Sequence, residues 1–501
     1  MKTRIFIFVA LFAAVFMLQS QTQVGQNLWG DAMHDRFGWS VGIGNTDGSL
    51  AVGVPYADVN GTSSGLARMF QFDGTSWSQR GNDINGENAG DEFGQSIDLN
   101  DDGQIVVIGA PYNENYTGHL RVYQWEEAAN DWIQIGQDID GEHIGDWLGY
   151  SCTINSAGDI VAGGAIRNND AGSNAGSVRA YQLSGNSWVQ MGQDIDGESP
   201  DDHSGHSVSL SSDGYTLSVG AGHNSDAGFR AGHVRVYTFD PSVNTWVQKG
   251  LDIDGEGTGN DHSGYTNSIS SNGEIVAIGA NSNFNSSTLA AGHVRVYRHD
   301  GTSWGQIGQD IDGLMNSENA GHDVSISGDG SILILGAIHN NTNGIYAGQA
   351  RIYQLTGSST GSSWVQIGTP INGPGPDDYM GWDTDISRSG TMVAVAALTA
   401  SGGPNGQYTG MVQVYDIGTL LNTNESDQNL IVSISPNPSN SIININSIKN
   451  YKLELFDMNG RLLMEDIGNS LDISRLDNAV YIIKLTDLES NQSLDFKIIK
   501  N

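Results

Sequence analysis

Short runs of alternating apolar and polar residues repeat along most of the chain. In one unit they span residues 94–99, 104–110, 120–125 and 132–139, and they are rich in β-branched side chains. A period of two with this composition predicts β-strands. The fourth run contains a tryptophan that recurs about every 55 to 60 residues, which is typical of a repeat architecture, at Trp77, Trp132, Trp188, Trp246, Trp304 and Trp364. The pattern therefore predicts repeated units of four strands.

Tight turns connect the first two strands of each unit. The connections contain Asp-Gly or Asn-Gly pairs, which tolerate positive φ and favour hairpins, at residues 100–103, 212–214, 271–273 and 328–330. A two-residue signature such as Phe93-Gly94 opens the first strand, and seven such openings occur, at residues 37, 93, 148, 204, 263, 320 and 380.

Seven openings face only six tryptophan strands. The last unit ends near Asp416 without a fourth strand, whereas residues 22–31 resemble the fourth-strand pattern. We expect the N-terminal segment to complete the last unit and close a ring, as in propeller folds. The predicted fold class is all-β: a seven-bladed β-propeller closed by the N-terminal strand, followed by a small C-terminal β-sandwich. The predicted domains are a signal peptide at 1–20, the propeller at 21–418, a linker at 419–429 and a secretion domain at 430–501.

Charge and export restrict the partners. The formal net charge is -35, so nucleic acid and anionic membrane surfaces should be repelled. Lys2 and Arg4 precede an apolar run over residues 5–18, which predicts an N-terminal signal peptide that is too short for a membrane span. Cys152 is the single cysteine, so no intramolecular disulfide is expected and a small buried side chain on a strand is predicted.

Phe93-Gly94, Gly109-Ala110-Pro111 and the aromatic strand at 118–123 resemble, in order, the FG-GAP repeat of integrin-α-type propellers. Looser copies extend the resemblance over residues 22–417. It implies a propeller with an extracellular recognition role. The calcium loop of that family is not carried over, because the first hairpin loops are too short to supply its oxygen ligands.

The C-terminal seventy or so residues resemble a type A sorting domain of the type IX secretion system. The resemblance rests on Ser435-Pro436-Asn437-Pro438, on residues 455–461 and 479–485, and on the terminal basic segment 497–500. It implies export across both membranes, contact with the type IX secretion machinery, and release from or attachment to the outer cell surface.

Acidic loops follow the fourth strand of most units. Alternate carboxylates at a strand end lie on one face and suit a hard cation such as calcium. These weak metal candidates are Asp138, Asp140, Glu142, Asp194, Asp196, Glu198, Asp252, Asp254 and Glu256. The alternative, which we favour, is that they form Asx turns and pair with a recurring arginine, at Arg68, Arg121, Arg179, Arg235, Arg295 and Arg351, replaced by Gln413 in the last unit.

Other conspicuous side chains are interpreted as structural. His119, His233 and His293 share one strand position and lack a zinc-like spacing, so packing or edge roles are expected. The recurring Trp and Tyr residues are expected between the blades. The loops joining second and third strands vary most and are rich in Asn, Ser and Gly, which makes them the predicted binding surface, at residues 168–176, 223–232, 281–292 and 399–410.

No unique catalytic constellation is apparent, because nearly every acid has copies in other units. We therefore expect a non-enzymatic, monomeric, secreted or surface-displayed protein that binds an extracellular protein or glycan and needs no cofactor, with calcium as an open question. The alternatives are a polysaccharide hydrolase or lyase on a propeller scaffold and a structural surface component.

Overall fold

The computed structural model describes residues 21–45, 48–257, 259–284, 290–357, 361–418, 433–435, 442–446, 451–457, 461–468, 470–476, 478–487 and 493–500. The predicted signal peptide and linker lie outside the described residues. The chain divides into two compact units, Met1–Leu420 and Leu421–Asn501.

The first unit consists of antiparallel sheets whose strands are neighbours in the chain. Two short N-terminal strands, β1 (Thr22–Gln23) and β2 (Leu28–Trp29), precede them. Sheet 1 contains β3 (Ser40–Ile43), β4 (Ser49–Val54), β5 (Leu66–Phe72), β6 (Trp77–Gln79) and β7 (Ile84–Asn85). Sheet 2 contains β8 (Ser96–Leu99), β9 (Ile105–Ala110), β10 (His119–Glu126), β11 (Asp131–Gln134) and β12 (Ile139–Asp140). Sheet 3 contains β13 (Leu148–Ile154), β14 (Ile160–Ala165), β15 (Ser177–Ser184), β16 (Ser187–Gln190) and β17 (Ile195–Asp196). A short helix, α1 (Asn113–Tyr116), lies between β9 and β10.

Sheets 4 to 7 continue the same plan. Sheet 4 contains β18 (Ser207–Leu210), β19 (Thr216–Ala221), β20 (His233–Asp240), β21 (Thr245–Gln248) and β22 (Ile253–Asp254), and sheet 5 contains β23 (Thr266–Ile269), β24 (Ile275–Ala280), β25 (His293–His299), β26 (Trp304–Gln306) and β27 (Ile311–Asp312). Sheet 6 contains β28 (Ala320–Ile326), β29 (Ile332–Ala337), β30 (Gln349–Thr356) and β31 (Ser363–Asn372). Sheet 7 contains β32 (Met380–Ile386), β33 (Met392–Ala397) and β34 (Met411–Asp416). In sheet 7, β1 and β2 pair with β34.

The first strands of the sheets form a closed ring. Each of β3, β8, β13, β18, β23, β28 and β32 contacts the first strands of two neighbouring sheets, and β32 contacts β3. This radial arrangement of antiparallel sheets around a common axis is that of a β-propeller. The apolar side chains lie between the sheets, where clusters such as the one containing Ile97, Ile108 and Trp132 exclude water.

The N-terminal segment completes sheet 7, as the sequence predicted. Thr22 pairs with Asp416, and Leu28 pairs with Val412. Leu28 is 6% exposed and belongs to the core between sheets 7 and 1. The two ends of the first unit therefore meet within one sheet, in which the N-terminal segment is the outer strand.

The fourth strand differs from the prediction in sheets 1 to 5, whereas β31 of sheet 6 is unbroken. Residues 132–139 were expected to form one strand, but β11 and β12 are separated at Gly136. Gly136 has a φ of 73°, and a Cβ there would lie 2.5 Å from the Trp188 ring of the next sheet. The strand breaks because its backbone curves around the tryptophan of its neighbour.

The hairpin turns between first and second strands are tight, as predicted. Asn100 Oδ1 accepts hydrogen bonds from the N–H groups of Gln104 and Ile105, and Gly103 has a φ of 66°. Ser211 plays the corresponding role in sheet 4, where its hydroxyl accepts from Thr216 N–H.

The second unit contains two antiparallel sheets. One has the order β35 (Ser433–Ser435), β36 (Ile442–Asn446) and β39 (Ser470–Asp472); the other contains β37 (Tyr451–Asp457), β38 (Leu462–Gly468), β40 (Val480–Asp487) and β41 (Ser493–Ile499), with β37 and β40 central. Leu455 and Ile483 pack with Leu471 in a core that joins the two sheets. Residues 436–438 and 458–460, which belong to the segments that resemble the sorting domain, lie outside the described residues.

Ring closure can be tested by removing the N-terminal strand. We expect deletion of residues 21–31 to lower the melting temperature, because it removes the outer strand of sheet 7 and exposes its core. The milder Leu28→Ala should lower the free energy of unfolding by about 2–4 kcal/mol, the usual cost of truncating a buried leucine. Thermal melts measure the first effect and denaturant titration the second. Leu251→Ala, at a side chain that is 83% exposed, is the control, and an equal effect of the two substitutions would contradict closure.

Candidate functional site

A polar channel runs through the ring of first strands. It contains a cavity of about 290 Å³ lined by residues from the first strands of all seven sheets. Edge strands carry backbone N–H groups without partners in their own sheet, and burial of such groups requires other acceptors. The residues that line the channel are therefore mostly hydroxyls and carboxylates.

Side chains on one strand accept hydrogen bonds from the backbone of the next. Ser209 Oγ accepts from Ile269 N–H at 3.2 Å, and Ser268 Oγ accepts from Ile326 N–H at 3.1 Å. The residue at this strand position accepts a hydrogen bond from a backbone N–H of the next strand in four further sheets. The acceptor and donor residues are Asp98 and Ile154, Thr153 and Leu210, Ser325 and Ile386, and Asp385 and Ile43. Sheet 1 has Gly42 at this position, and Leu99 N–H bonds to the carboxylate of Asp98 beside it.

Four carboxylates lie in this channel. Asp323 accepts hydrogen bonds from the N–H and hydroxyl of Thr384, and Asp383 accepts one from Val41 N–H at 2.6 Å. Burial raises the pKa of Asp385 to about 7. Burial, reinforced by the charge of Asp323, also raises the pKa of Asp383 well above its ordinary value. Asp383 and Asp385 therefore retain their protons at pH values at which exposed carboxyl groups are ionised.

Aromatic rings form a nearly continuous belt where the strands begin. The channel-ring residues are the first residue after each opening glycine, namely Trp39, Gln95, Tyr150, His206, Tyr265, His322 and Trp382. Neighbouring rings are in contact from Tyr150 round to Trp39, with centroid distances of 4.4 to 5.5 Å. Gln95 interrupts the belt. It presents a buried amide oxygen without a hydrogen-bond partner among the described residues.

The residue before each opening is held in an unusual backbone conformation. All seven are non-glycine residues with φ between 52° and 63°, a region that costs energy for side chains with a Cβ. These left-handed residues are Arg36, Glu92, Trp147, His203, His262, Asn319 and Tyr379. Together with the channel-ring residues they form what we call the channel rim.

In sheets 1 to 3 the channel rim combines aromatic and charged groups. The Arg36 guanidinium lies over the rings of Trp39 and Tyr56. The Tyr56 hydroxyl donates to Glu92, whose pKa is raised to about 7 because burial outweighs that hydrogen bond. Burial also raises the pKa of Tyr56. Glu92 is thus a carboxyl able to exchange a proton near neutral pH.

In sheets 4 to 6 the channel rim is rich in histidine, with His203, His206, His262 and His322. His223 lies with its ring centroid 4.5 Å from that of His203 and 5.0 Å from that of His262. Burial lowers the pKa of His223 to about 3 and that of His206 to about 4. These imidazoles are neutral at neutral pH and offer both hydrogen-bond donors and acceptors.

The acidic loops and the variable loops share the face that carries the channel rim. Asp91 accepts from Asn113 and Asp202 accepts from Asn224, in each case at 3.1 Å, which ties an acidic loop to a loop between second and third strands. Large apolar side chains are exposed on these loops: Met33, Val59, Tyr116, Ile144, Phe229, Phe284, Leu314, Ile345, Tyr346 and Tyr408. Exposed apolar groups concentrated on one face are typical of an interaction surface.

The recurring arginines join adjacent sheets. Arg121 in sheet 2 bonds both oxygens of its own sheet's Asp138 and pairs with Glu87 of sheet 1 at 2.6 Å. The pairs Arg68–Asp31, Arg179–Glu142, Arg235–Glu198, Arg295–Glu256 and Arg351–Glu318 repeat this link. In sheet 7 Gln413 bonds Asn27 instead.

The other acidic candidates occupy varied positions. Asp194 and Asp252 accept hydrogen bonds from glutamine side chains four residues earlier. The backbone carbonyls of Asp140 and Asp196 accept from arginines of the next sheet, and Asp254 pairs with His233 in the β20–β22 ladder. Consecutive acids of one loop are therefore mostly separated.

Histidine side chains lie close to these carboxylates, and the sequence did not indicate this proximity. Ligand atoms lie within 4.8 Å of one another in four sets among the described residues: Glu87, His119 and Asp138; Glu142, His143 and Asp170; Glu198, His233 and Asp252; and His293, Asp310 and Asp312. His119, His233 and His293 are buried, as expected for packing, but each faces carboxylates. Residues 35 or more positions apart, such as Glu198 and His233, meet because adjacent sheets contact.

Two other interpretations can be compared with the structure. The recurring tryptophans are core residues, with Trp246 only 3% exposed. Cys152 lies on β13 and lines the cavity, where burial raises the pKa of its thiol. The aromatic positions at the openings were not singled out from the sequence, although they stand beside every opening glycine.

Residues 433–501 match the family model described as a secretion system C-terminal sorting domain. This agrees with the type IX sorting signal predicted from the sequence. The protein is therefore secreted or attached to the outer cell surface. Among the described residues, no helix has the length and hydrophobicity needed to cross a membrane.

Several solved structures are similar to this chain. The periplasmic gluconolactonase PpgL of Pseudomonas aeruginosa is 15% identical, with 70% of this chain and 92% of that chain covered and a TM-score of 0.46. The Dos1 propeller is 11% identical, with 79% and 96% covered and a TM-score of 0.44. AofleA from Arthrobotrys oligospora is 11% identical, with 70% and 92% covered and a TM-score of 0.35. No curated protein matches the chain.

The raised pKa of Asp383 predicts that this residue destabilises the folded protein at high pH. The unfolded chain releases this proton near the ordinary value of 3.8, whereas the folded protein retains it to much higher pH. Wild-type stability should therefore fall as pH rises above about 4. In Asp383→Asn the amide oxygen can still accept from Val41 N–H, and no charge is buried. We expect the melting temperature of this variant to exceed that of the wild type at pH 8, with the difference shrinking towards pH 4.5.

Thermal melts across this range measure the effect. Asp102→Asn, at an exposed loop carboxylate, should give a difference that does not grow with pH. A difference for Asp383→Asn that is constant from pH 4.5 to pH 8 would contradict the prediction.

Proposed function

We propose that the protein is a surface-displayed or secreted recognition protein that binds an extracellular glycan at the channel rim, without turnover. In this proposal the seven sheets are the blades of a seven-bladed propeller of the integrin-α-like type. The C-terminal unit is a β-sandwich that addresses the chain to the type IX machinery. The N-terminal segment is a signal peptide, and the mature protein is a monomer.

The aromatic belt is the observation that supports a glycan ligand. Trp39, Tyr150, Tyr265 and Trp382 are half-buried, so each ring keeps one part accessible from a polar cavity. Rings held rigidly beside hydrogen-bonding groups suit sugars, which present both apolar C–H faces and hydroxyls. The neutral histidines and the Gln95 amide oxygen provide the polar groups.

Internal comparison of the repeats supports a functional role for the rim. The last residue of the first strand is Ile or Leu in every sheet, from Ile43 to Ile386, because it packs between the sheets. The channel-ring positions instead hold four residue types, Trp, Gln, Tyr and His, and the left-handed positions hold six. A purely structural requirement would favour the same residue in each repeat, so these positions favour one asymmetric ligand site.

Glycan binding is tested with a polysaccharide and oligosaccharide array probed with the purified chain. We expect saturable binding, and we expect Trp39→Ala and Trp382→Ala each to weaken it by more than about 10-fold, as for aromatic contacts at the centre of a site. Trp125→Ala is the matched control, because Trp125 lies on the outer part of sheet 2 against Arg80. Thermal melts verify that each variant is folded.

The exposed apolar side chains on the loops favour a protein ligand as the alternative to a glycan. Binding to a cell-surface protein that is retained in Trp39→Ala and lost in Phe229→Ser, at a side chain that is 69% exposed, would replace the glycan by a protein ligand. Concentration-dependent self-association of the purified chain, without either ligand, would favour a structural surface component.

Glu92 favours a second candidate function, a polysaccharide lyase or hydrolase. Its pKa of about 7, together with Tyr56 and Arg36, provides an acid-base group next to a phenol and a cation. Such a group could move a proton during cleavage. Product release from a polysaccharide panel that is abolished in Glu92→Gln, with binding retained, would establish this activity and overturn binding without turnover.

A further inference from the structure

Three ligand atoms meet between sheets 3 and 4. Glu198 follows β17 in sheet 3, His233 begins β20 in sheet 4, and Asp252 immediately precedes β22. His233 Nδ1 lies 3.9 Å from Glu198 Oε2 and 3.9 Å from Asp252 Oδ2. All three side chains offer atoms within 4.8 Å of one another.

The His233 nitrogen is buried without a partner. The side chain is only 1% exposed, and its Nδ1 has no hydrogen bond in the described part of the chain. A distance of 3.9 Å to each carboxylate is too long for a hydrogen bond. It is short enough for one ion to lie between the atoms, since zinc stands about 2.0 to 2.2 Å from nitrogen and oxygen ligands.

The other oxygens of the two carboxylates have partners. Gln248 Nε2 donates to Asp252 Oδ1 at 2.6 Å, and Arg235 lies 3.4 Å from Glu198 Oε1. Each carboxylate is therefore oriented so that its second oxygen points towards His233. The carboxylate side chains are 38% and 31% exposed, which leaves a path for an ion and coordination positions for water.

The contacts of the recurring arginine distinguish the Glu198–His233–Asp252 group from the corresponding groups in sheets 2 and 5. In sheet 2, Arg121 bonds both Asp138 and Glu87 directly at 2.6 Å, and a guanidinium there neutralises the carboxylates. In sheet 5, Arg295 contacts both Glu256 and Asp310. In sheet 4, Arg235 donates to the Asp196 carbonyl at 2.7 Å and lies 3.4 Å from Glu198 Oε1, and it forms no ion pair with Asp252. Asp202 and Asp226 add negative charge around Glu198.

We propose that Glu198, His233 and Asp252 bind one divalent transition-metal ion, of which zinc is the representative. One imidazole nitrogen and two carboxylate oxygens form a three-ligand set that leaves room for water or a ligand group. The nitrogen favours zinc over calcium, because calcium takes six to eight oxygen ligands. The ion would join sheets 3 and 4 at the edge of the face that carries the channel rim.

The test is zinc titration of the full chain against a chromophoric chelator, with cobalt absorption as a spectroscopic reading of the ligand set. We expect one ion per chain and a cobalt spectrum that His233→Ala abolishes. The zinc affinity of His233→Ala should fall by more than about 100-fold, since even groups outside the ligand set contribute 10- to 100-fold. His119→Ala, which alters the arginine-occupied copy in sheet 2, should retain wild-type affinity.

Glu198→Gln separates metal binding from folding. This side chain is partly exposed, so the variant should keep its fold while losing zinc affinity to a similar extent, and thermal melts without metal verify this. Unchanged zinc affinity in both His233→Ala and Glu198→Gln would overturn the proposal. An equal loss in His119→Ala, or tighter binding of calcium than zinc, would also overturn it.

Discussion

The contact between a tryptophan and the glycine of the preceding sheet determines how the ring is built. In every sheet that has the tryptophan, its indole N–H donates to a carbonyl of the sheet before it, at 2.7 to 3.0 Å. A glutamine side chain, such as Gln137 opposite Trp188, bonds both the N–H and the carbonyl of that tryptophan. The link fixes the position of each sheet relative to the next. It also explains why the last sheet must receive its outer strand from the N-terminus: Val24 and Gln26 of that segment hold Trp77 in the same way.

Closure of the ring creates the chemistry of the channel. Seven edge strands face one axis, so their N–H groups must be met by side chains of the neighbouring strand. Serine and threonine satisfy this need without charge in sheets 3 to 6, whereas Asp98 does so in sheet 2, and Asp323, Asp383 and Asp385 do so in sheets 6 and 7. Those carboxylates are buried in the same channel, and the charges of neighbouring carboxylates raise the energy of ionising Asp383 and Asp385 further. A structural requirement for hydrogen-bond acceptors thus produces a group of carboxyls that hold their protons at unusually high pH.

Local patterns predicted most of the fold, because strand alternation, Asp-Gly turns and the opening glycines act within a few residues. Closure by the N-terminus also followed from counting seven openings against six tryptophan strands. The break at Gly136 could not be predicted in this way, since its cause is the Trp188 ring of another sheet. The same limit applies to the candidate sites: His233 was interpreted as a packing residue because it lacks a zinc-like spacing, and Glu198 reaches it only across a sheet boundary. The left-handed conformation of Trp147 or Tyr379 carries no glycine signal in the sequence.

The repeat itself provides the strongest argument about where function lies. Where the fold imposes a requirement, the same side chain returns: tryptophan against glycine, arginine against an acid of the preceding sheet, isoleucine or leucine at the end of the first strand. At the channel rim the backbone repeats, including seven non-glycine residues at positive φ among the described residues, but the side chains are of several types. Strain that is retained in every sheet while the side chain changes from Arg36 to Glu92 to Trp147 is not needed to fill space. It directs different groups towards one axis, so that a repeated backbone geometry presents side chains of different chemistry around the channel.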